Sequence, residues 1–254
     1  MDDVLIVNKS LGITSFDVIK ELKKRYPGEK IGHAGTLDPL ASGVLICLVG
    51  KDATKRQVEF MDCDKDYEFE VLYGFDTDTY DVLGLVNGTK SYRPPYIFDE
   101  MFDHMEAMVG KIDQPVPPFS AVKVNGRELY RWYLDGKIDD VDVPVKSVEI
   151  KSLQFLSSVN VTRFELQTRI HKLLATVKSG FRQKMVLEKW DEVLSRKRQT
   201  YFLVIKYKAT VSKGTYVRAI AHKFGQDTKI GACTLTIKRT RVGKYTLDEK
   251  ALPI

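Results

Sequence analysis

One glycine-rich segment of the sequence, residues 31–45, holds an aspartate in a setting that favours chemistry. Gly35 and Gly43 permit sharp turns and close approach by another chain, and Pro39 restricts the backbone of Asp38. A carboxylate fixed in one orientation in such a loop is a candidate nucleophile or general base. The alternative is an Asx-turn, in which the Asp38 side chain caps its own loop. Spacing alone leaves both interpretations open.

The same segment does not match two common cofactor motifs. Residues 43–51 have six residues between the glycines, and Asp52 follows the lysine, so the segment is not a phosphate-binding P-loop. His33 has no second histidine or cysteine at metal-ligand spacing. The sequence therefore predicts no metal site and no cofactor.

The elements that must position Asp38 can be read from hydrophobic periodicity. Thr14 and Asp17 have capping-box spacing, which predicts a helix that starts there and ends before Gly28. Asn125-Gly126 predicts a turn, and residues 163–198 resemble two amphipathic helices broken near residues 179–180. Further segments alternate as strands or show helical spacing: strands at 4–7, 67–73, 201–209 and 235–237, and a short helix at 217–225. Because strands and helices mix without regular alternation, we expect an α+β fold.

Composition limits the class of protein. The 254 residues are 43% hydrophobic, which is enough for a sizeable core and excludes a disordered chain. The longest apolar run has six residues, so the sequence predicts no transmembrane helix, and its start does not resemble a signal peptide. Three scattered cysteines do not form a disulfide framework. We therefore expect a reduced, cytoplasmic protein.

Charge is distributed unevenly along the chain although the net charge is only +6. Residues 62–81 contain eight acidic side chains and one basic one, whereas residues 206–244 contain ten basic and one acidic. Residues 163–198 add ten basic side chains against four acidic. Two basic segments on a balanced chain suggest a patch for a phosphate backbone, and the alternative is a solvated surface spread over several faces.

Five collinear segments of the sequence form a set of short motifs. They read Lys9-x-x-Gly12-x-Thr14-Ser15; Gly32-His33-Ala34-Gly35-Thr36-Leu37-Asp38-Pro39; Lys65-x-Tyr67 with Gly74-x-x-Thr77-x-Thr79-x-Asp81; Pro117-Pro118-x-Ser120-Ala121-x-Lys123-x-x-Gly126-x-x-x-Tyr130; and Ser212-Lys213-Gly214-Thr215-Tyr216-x-Arg218 with Arg239-x-x-x-Gly243-x-Tyr245. In this order they resemble the N-terminal, catalytic, tyrosine, thumb and arginine motifs of the TruB family of tRNA pseudouridine synthases.

The resemblance implies a pseudouridine synthase catalytic fold, with a mixed, mostly antiparallel central sheet flanked by helices and loops. It implies one domain over residues 1–254, with a thumb-like insertion at about 114–145 and without the family's usual C-terminal PUA domain. A basic helical insertion at about 157–200 has no counterpart in the family motifs. One interpretation is that this insertion clamps tRNA, and the other is that it only packs on the core.

The resemblance also assigns residues. Asp38 would be the essential carboxylate, Arg218 would pair with it, and Tyr67 would stack on the target uracil and assist the late proton removal. The substrate would be the T stem-loop of tRNA, whose uridine 55 leaves its stack and becomes pseudouridine through cleavage of the glycosidic bond and rejoining at carbon. We expect a monomer without a membrane or metal partner. RNA or base contacts would come from His33, Tyr216, Ile237, Lys9, Lys123, Arg127 and Tyr130.

Several alternatives remain at this point. His33 is alternatively a loop histidine bonded to backbone, and Lys9 is alternatively a solvated surface lysine. The chain as a whole is alternatively an RNA-binding or tRNA-folding protein on the same scaffold, or a guide-RNA-dependent pseudouridine synthase. The joint presence of Asp38, Tyr67 and Arg218 argues against a scaffold without activity.

Overall fold

A sheet with strands from both halves of the chain carries the segment around Asp38. The structure, a computed structural model, describes residues 2–92, 97–178, 180–247 and 251–254. The strands are β1 (Asp3–Lys9), β2 (Ile31–Ala34), β3 (Ala41–Val49), β4 (Lys65–Tyr73), β5 (Phe75–Thr77), β6 (Val86–Thr89), β7 (Gly110–Pro115), β8 (Lys123–Val124), β9 (Arg127–Glu128), β10 (Val145–Thr162), β11 (Tyr201–Val211), β12 (Ala232–Val242), β13 (Tyr245–Thr246) and β14 (Leu252–Pro253).

Eight α-helices of the described residues surround the sheet. They are α1 (Ser15–Arg25), α2 (Lys51–Lys55), α3 (Gln57–Met61), α4 (Ile97–Ala107), α5 (Leu129–Leu134), α6 (Arg163–Thr176), α7 (Gln183–Arg196) and α8 (Val217–Asp227). The predicted capping box is confirmed, because the Thr14 side chain accepts from the Asp17 amide and the Asp17 side chain accepts from the Thr14 amide. None of the described helices has the length and apolarity needed to cross a membrane.

The main sheet has the strand order β14-β1-β3-β12-β4-β11-β10-β7, with β2 beside β3 and β13 beside β12. β1 pairs with β14 and β3 pairs with β12 in parallel, and the other pairings along this order are antiparallel. Short hairpins form from β5 with β6 and from β8 with β9. The expected α+β fold with a mixed, mostly antiparallel sheet is confirmed.

Helices cover both faces of this sheet. On β4, Tyr67, Phe69 and Val71 join a core with α1 and α8, whereas Leu72 joins a second core with α6 and α7. Successive strand residues point to opposite faces, so this alternation places the two helix layers on opposite sides. α8, which follows β11, therefore lies on the face that carries Tyr67.

The acidic and basic segments of the sequence meet within the sheet. β4 pairs with β11 and β12, so Glu68 lies 2.6 Å from Lys206 Nζ and Asp66 lies 2.7 Å from Arg241 Nη2. These half-buried pairs neutralise charge between neighbouring strands. Part of the positive charge of residues 206–244 is thus held by the protein itself and is not free for a phosphate backbone.

The basic stretch at 163–198, called the α6–α7 insertion below, contains the two predicted helices, α6 and α7, which form a hairpin. The helices begin at Arg163, however, because residues 157–162 still belong to β10 and pair with β11. Each residue from Ser157 to Thr162 has a partner on β11, from Lys206 to Tyr201, and this pairing makes the stretch a strand. The expected break falls between α6 and α7; residue 179 lies outside the described residues.

The thumb-like segment lies between the end of β7 and the start of β10. It contains the β8–β9 hairpin, α5 and a 3-10 helix at Ile138–Asp140. Asn125 and Gly126 both have positive φ, 52° and 78°, as a two-residue hairpin turn requires. The predicted turn is confirmed.

Candidate active site

The loop that carries Asp38 connects β2 to β3 and is fastened on both sides. Ser15, the first residue of α1, exchanges two hydrogen bonds with the backbone of Leu37, at 2.9 and 3.2 Å. The carbonyl of Pro39 accepts from the Gly12 amide at 2.8 Å. The turn therefore has little freedom on either side of the carboxylate.

Arg218 holds the Asp38 carboxylate with two hydrogen bonds. Nε donates to Oδ2 at 2.9 Å and Nη2 donates to Oδ1 at 3.2 Å, the bidentate geometry of a guanidinium–carboxylate pair. The Arg218 side chain is 4% exposed, whereas that of Asp38 is 37% exposed. The pair is thus anchored on its cationic side and open to solvent on its carboxylate side. Asp38 is held by another element, contrary to the Asx-turn alternative.

Further contacts fix the Arg218 guanidinium from inside the protein. Nη1 donates to the carbonyl of Thr79, and Nη2 donates also to the carbonyl of Phe119 at 3.1 Å. Burial alone lowers the pKa of Arg218, but the neighbouring carboxylates of Asp38 and Asp81 raise it above its ordinary value. The guanidinium therefore stays charged and in one orientation.

Asp81 is a second carboxylate at this site, and sequence reasoning gave it no role. Its Oδ2 lies 3.9 Å from Arg218 Nε, and its Oδ1 accepts from the Leu83 amide at 3.0 Å and from the Thr79 hydroxyl at 2.5 Å. Burial raises the pKa of Asp81 to about 6, against the opposing effect of Arg218. The sequence signal was its place in the tyrosine motif, but only the fold brings it to Arg218.

A cavity of about 260 Å³ opens over the Asp38–Arg218 pair. Four parts of the chain wall it: the loop around Asp38, the loop around Asp81, the thumb-like segment, and the turn between α6 and α7. The lining residues are Asp38, Pro39, Thr79, Asp81, Leu83, Phe119, Ser120, Ala121, Tyr130, Leu134, Gly180, Phe181, Arg182 and Arg218.

Tyr67 and Ile237 lie on neighbouring strands of the main sheet. Tyr67 on β4 is 7% exposed and Ile237 on β12 is 6% exposed. Both belong to the core cluster that contains Leu37 and Val217, the chain neighbours of Asp38 and Arg218. Ile237 pairs opposite Ala41, three residues after Asp38, and Tyr67 pairs opposite Arg239, whereas the cavity described above is lined by other residues.

Lys9 is fully buried, so the surface-lysine alternative is wrong. Its Nζ donates to the carbonyls of Ile13 at 2.6 Å and Ser10 at 3.0 Å, which closes the turn before α1. Burial lowers the pKa of Lys9 to about 8, and the nearby Asp38 opposes that shift. An RNA contact by this buried side chain is not what the geometry favours.

Arg239 supports the Asp38 loop in a similar way, and its motif gave no hint of this role. It is 1% exposed, and it donates from Nε to the Val44 carbonyl at 2.7 Å and from Nη2 to the Gly35 carbonyl at 2.9 Å. One guanidinium thereby joins the two ends of the segment that contains Asp38.

His33 lies in β2, so the loop-histidine alternative is wrong. The Nδ1 atom of His33 has no hydrogen-bond partner among the described residues, and burial lowers the pKa of the His33 imidazole.

Tyr216 is the residue before α8, and its amide donates to Gln114 Oε1 at 2.7 Å. Lys146 Nζ lies 5.5 Å from the centroid of the Tyr216 ring.

The three predicted thumb residues are separated on that segment. Lys123 on β8 is 64% exposed and lies 4.0 Å from Glu128. Arg127 on β9 pairs with Asp135 at 2.5 Å and lies over the Trp132 ring. Of the three, Tyr130 lines the cavity. Among the described residues, no group of three or more His, Cys, Asp or Glu side chains is arranged to hold a metal ion.

Residues 23–174 match the model of a protein family described as TruB family pseudouridylate synthase (N terminal domain). A tRNA pseudouridine synthase B of Protochlamydia amoebophila (strain UWE25) is 31% identical over 248 residues, which are 98% of this chain and 77% of that protein. One from Aquifex aeolicus (strain VF5) is 31% identical over 252 residues, 98% of this chain and 71% of that protein.

Solved structures share the fold. A chain of a Cbf5-Nop10-Gar1 complex superposes with a TM-score of 0.58 at 20% identity, over 99% of this chain and 52% of that chain. A chain of an H/ACA RNP bound to a substrate RNA containing 2'-deoxyuridine gives a TM-score of 0.56 at 19% identity, over 98% of this chain and 50% of that one. This chain thus spans about half the length of these structures, and at such identities the likeness concerns the fold.

Proposed function

Because this chain belongs to the TruB family of pseudouridylate synthases, we propose that it isomerises uridine 55 in the T stem-loop of tRNA to pseudouridine. The observation that carries the proposal is the buried Arg218 that holds the half-exposed Asp38 carboxylate at the mouth of a cavity. A carboxylate held in one orientation in this way is the group that such a reaction needs.

The proposed reaction needs no donor and no oxidant. The bond between ribose C1′ and N1 of the uracil breaks, the base turns, and a bond forms from C1′ to C5. The C5 proton leaves and N1 gains one, so substrate and product are isomers. Asp38 acts as the essential carboxylate during bond cleavage, and Arg218 positions it.

The flipped uridine would enter the cavity over Asp38, at a cost of a few kcal/mol for unstacking. In the proposal Tyr67 stacks on the uracil and its hydroxyl assists loss of the C5 proton, while Ile237 packs on the base from another side. The pairing of Ile237 opposite Ala41, three residues after Asp38, supports this. Tyr67 is only 7% exposed, so stacking of a base on its ring would require a rearrangement around it.

Recognition of the T-loop would rest on residues around the cavity. Tyr130 reaches the cavity, and Lys123 is exposed on the hairpin beside it; together with Arg127 they would grip the RNA. His33 would occupy the space that the base leaves, and Tyr216 would support the pocket floor. We propose that the enzyme works as a monomer in the cytoplasm and reads the folded loop by shape and by its unstacked bases.

The test is to incubate the purified protein alone with an unmodified tRNA transcript and to map pseudouridine. We expect product at uridine 55 from the wild type and from Asp52→Asn, a control on an exposed aspartate, and none from Asp38→Asn. A free T stem-loop is expected to serve as substrate, whereas an anticodon stem-loop is not. RNA binding without product in the wild type would instead support an RNA-folding protein. Product only after addition of a guide RNA and partner proteins would support a guide-dependent enzyme.

A further inference from the structure

The turn of the α6–α7 insertion forms one wall of the cavity above Asp38. Phe181 and Arg182 line the cavity together with Asp38 and Arg218. None of the motifs that identified the site includes these residues. The insertion therefore belongs, in part, to the immediate surroundings of the reacting groups.

Arg182 is held in an unusual and specific way. Its backbone lies in the left-handed region, with φ 59°, which costs a non-glycine residue of the order of a kcal/mol in general and is retained where the surroundings demand it. Its Nη1 lies 3.0 Å from Oδ2 of Asp78, whose side chain is 3% exposed. Its guanidinium carbon lies 4.7 Å from the centroid of the Phe119 ring, as in a cation–π contact.

Both partners of Arg182 are tied to Arg218. The Phe119 ring meets Arg182, while the Phe119 carbonyl accepts from Arg218 Nη2 at 3.1 Å. Asp78 precedes Thr79 in the chain, and the Thr79 carbonyl accepts from Arg218 Nη1. The two backbone carbonyls that orient the Arg218 guanidinium thus belong to, or adjoin, the two residues that Arg182 contacts.

The rest of the insertion is a rigid support for this contact. Trp190 on α7 is fully buried, and its Nε1 donates to the Val82 carbonyl at 3.0 Å. Arg182 is the N-cap of the same helix, and its carbonyl accepts from the Val186 amide at 3.0 Å. A displacement of Arg182 relative to the Asp78–Leu83 loop is therefore restricted from both ends.

We propose that Arg182 is a positioning residue for the reaction, which holds the Thr79 and Phe119 carbonyls so that Arg218 presents Asp38 in a single orientation. The inference rests on the proposed function, because the reaction gives the positioning its purpose. It assigns the α6–α7 insertion a role in the active site itself. A direct phosphate contact by Arg182 would be a different role, and it predicts a loss of affinity instead of a loss of rate.

The test compares Arg182→Ala and Arg182→Lys with Lys184→Ala, a control two residues along with a side chain that is 92% exposed. Single-turnover rates and tRNA affinity are measured separately, and thermal melting confirms that each variant folds. We expect Arg182→Ala to react about 10- to 100-fold more slowly than the control, with tRNA affinity within about twofold and an unchanged salt dependence. Arg182→Lys keeps the charge opposite Asp78 and is expected to recover part of the rate.

Three results would overturn the inference or its premise. Equal rates for Arg182→Ala and Lys184→Ala would refute positioning. A loss of affinity with a shallower salt slope and an unchanged rate would make Arg182 a phosphate contact. If neither wild type nor control makes pseudouridine, the proposed function fails, and a second readout still decides on Arg182: the NMR signal of Arg218 Nε–H, identified by its loss in Arg218→Lys, is expected to shift or broaden in Arg182→Ala and to stay in place in Lys184→Ala.

Discussion

The Asp81 carboxylate lies 3.9 Å from Arg218 Nε, so the guanidinium that binds Asp38 is shared with a second, deeply buried carboxylate. The two acids differ in surroundings, since the Asp38 side chain is 37% exposed and that of Asp81 is 8% exposed. Because burial penalises the charged form, the interior acid is the one that takes up a proton at mild pH. When Asp81 is protonated, Asp38 is the one charged carboxylate that interacts with Arg218 among these two acids.

This arrangement predicts a stability difference that depends on pH. Burial raises the pKa of Asp81 to about 6 in the folded protein, from 3.8 in the unfolded chain, so between these values the folded state binds more protons. The stability of the wild type relative to Asp81→Asn should therefore fall as pH rises from about 4 to 6, by roughly 2 to 3 kcal/mol. Urea unfolding at several pH values measures this. A difference that is constant across the range would contradict the assignment.

Replacement of Arg218 by lysine should slow the reaction severely. An ammonium cannot satisfy both oxygens of Asp38 and also the carbonyls of Thr79 and Phe119, so the carboxylate loses its fixed orientation. We expect a single-turnover rate about 100-fold below wild type, with tRNA affinity little changed. The matched control is Arg196→Lys, at a side chain that is 76% exposed and paired with Glu192; a similar loss there would point to a general effect of the substitution.

Replacement of Lys9 by methionine should destabilise the fold, because the carbonyls of Ser10 and Ile13 lose their donor. The expected cost near pH 7 is about 1–3 kcal/mol. Burial lowers the pKa of Lys9 to about 8, so the folded state releases this proton before the unfolded chain does. Wild-type stability relative to Lys9→Met should consequently rise as pH increases above about 8. Chemical unfolding measures both effects, and Lys20→Met, at an exposed lysine, should show neither.

Two glycine substitutions separate backbone strain from steric overlap. Gly43 has φ 102°, and a Cβ there would lie 2.1 Å from the Arg239 carbonyl oxygen, whereas Gly28 has φ 84° and open space around it. Gly28→Ala should cost about 1–2 kcal/mol from strain alone. Gly43→Ala should cost more than about 4 kcal/mol because β3 and β12 must separate. Thermal melting of both variants measures the difference, and equal melting temperatures would refute the close approach.

The local features of the fold followed from the sequence. Capping-box spacing at Thr14 and Asp17 predicted the start of α1, and Asn125-Gly126 predicted the β8–β9 turn. Both features depend on residues no more than four positions apart, so the residue types and their spacing are enough to predict them. The α+β class followed from the irregular order in which strand and helix periods occur along the chain.

Features that depend on partners distant in the chain did not follow. The contacts of the buried Lys9 and Asp81 and of the partly buried Arg182 each depend on groups that only the tertiary structure brings together. The strand β10 was not predicted, and its residues 157–162 were assigned to the helical insertion instead. They combine polar and β-branched side chains and are strand through their pairing with β11. The counts of charged residues did not predict how much positive charge is free to bind RNA, because they do not reveal that Glu68 pairs with Lys206 across two strands.

Because β3 pairs in parallel with β12, the sheet and the active site can form only late in the synthesis of the chain. Ile237 pairs opposite Ala41, and Arg218 reaches back 180 residues to Asp38. A nascent chain on the ribosome cannot complete the centre of its sheet until β12 has emerged, so folding must wait for distant contacts with a large entropic cost of loop closure. Until then the apolar strand β3 lacks one neighbour, and an unpaired apolar edge of this kind favours aggregation.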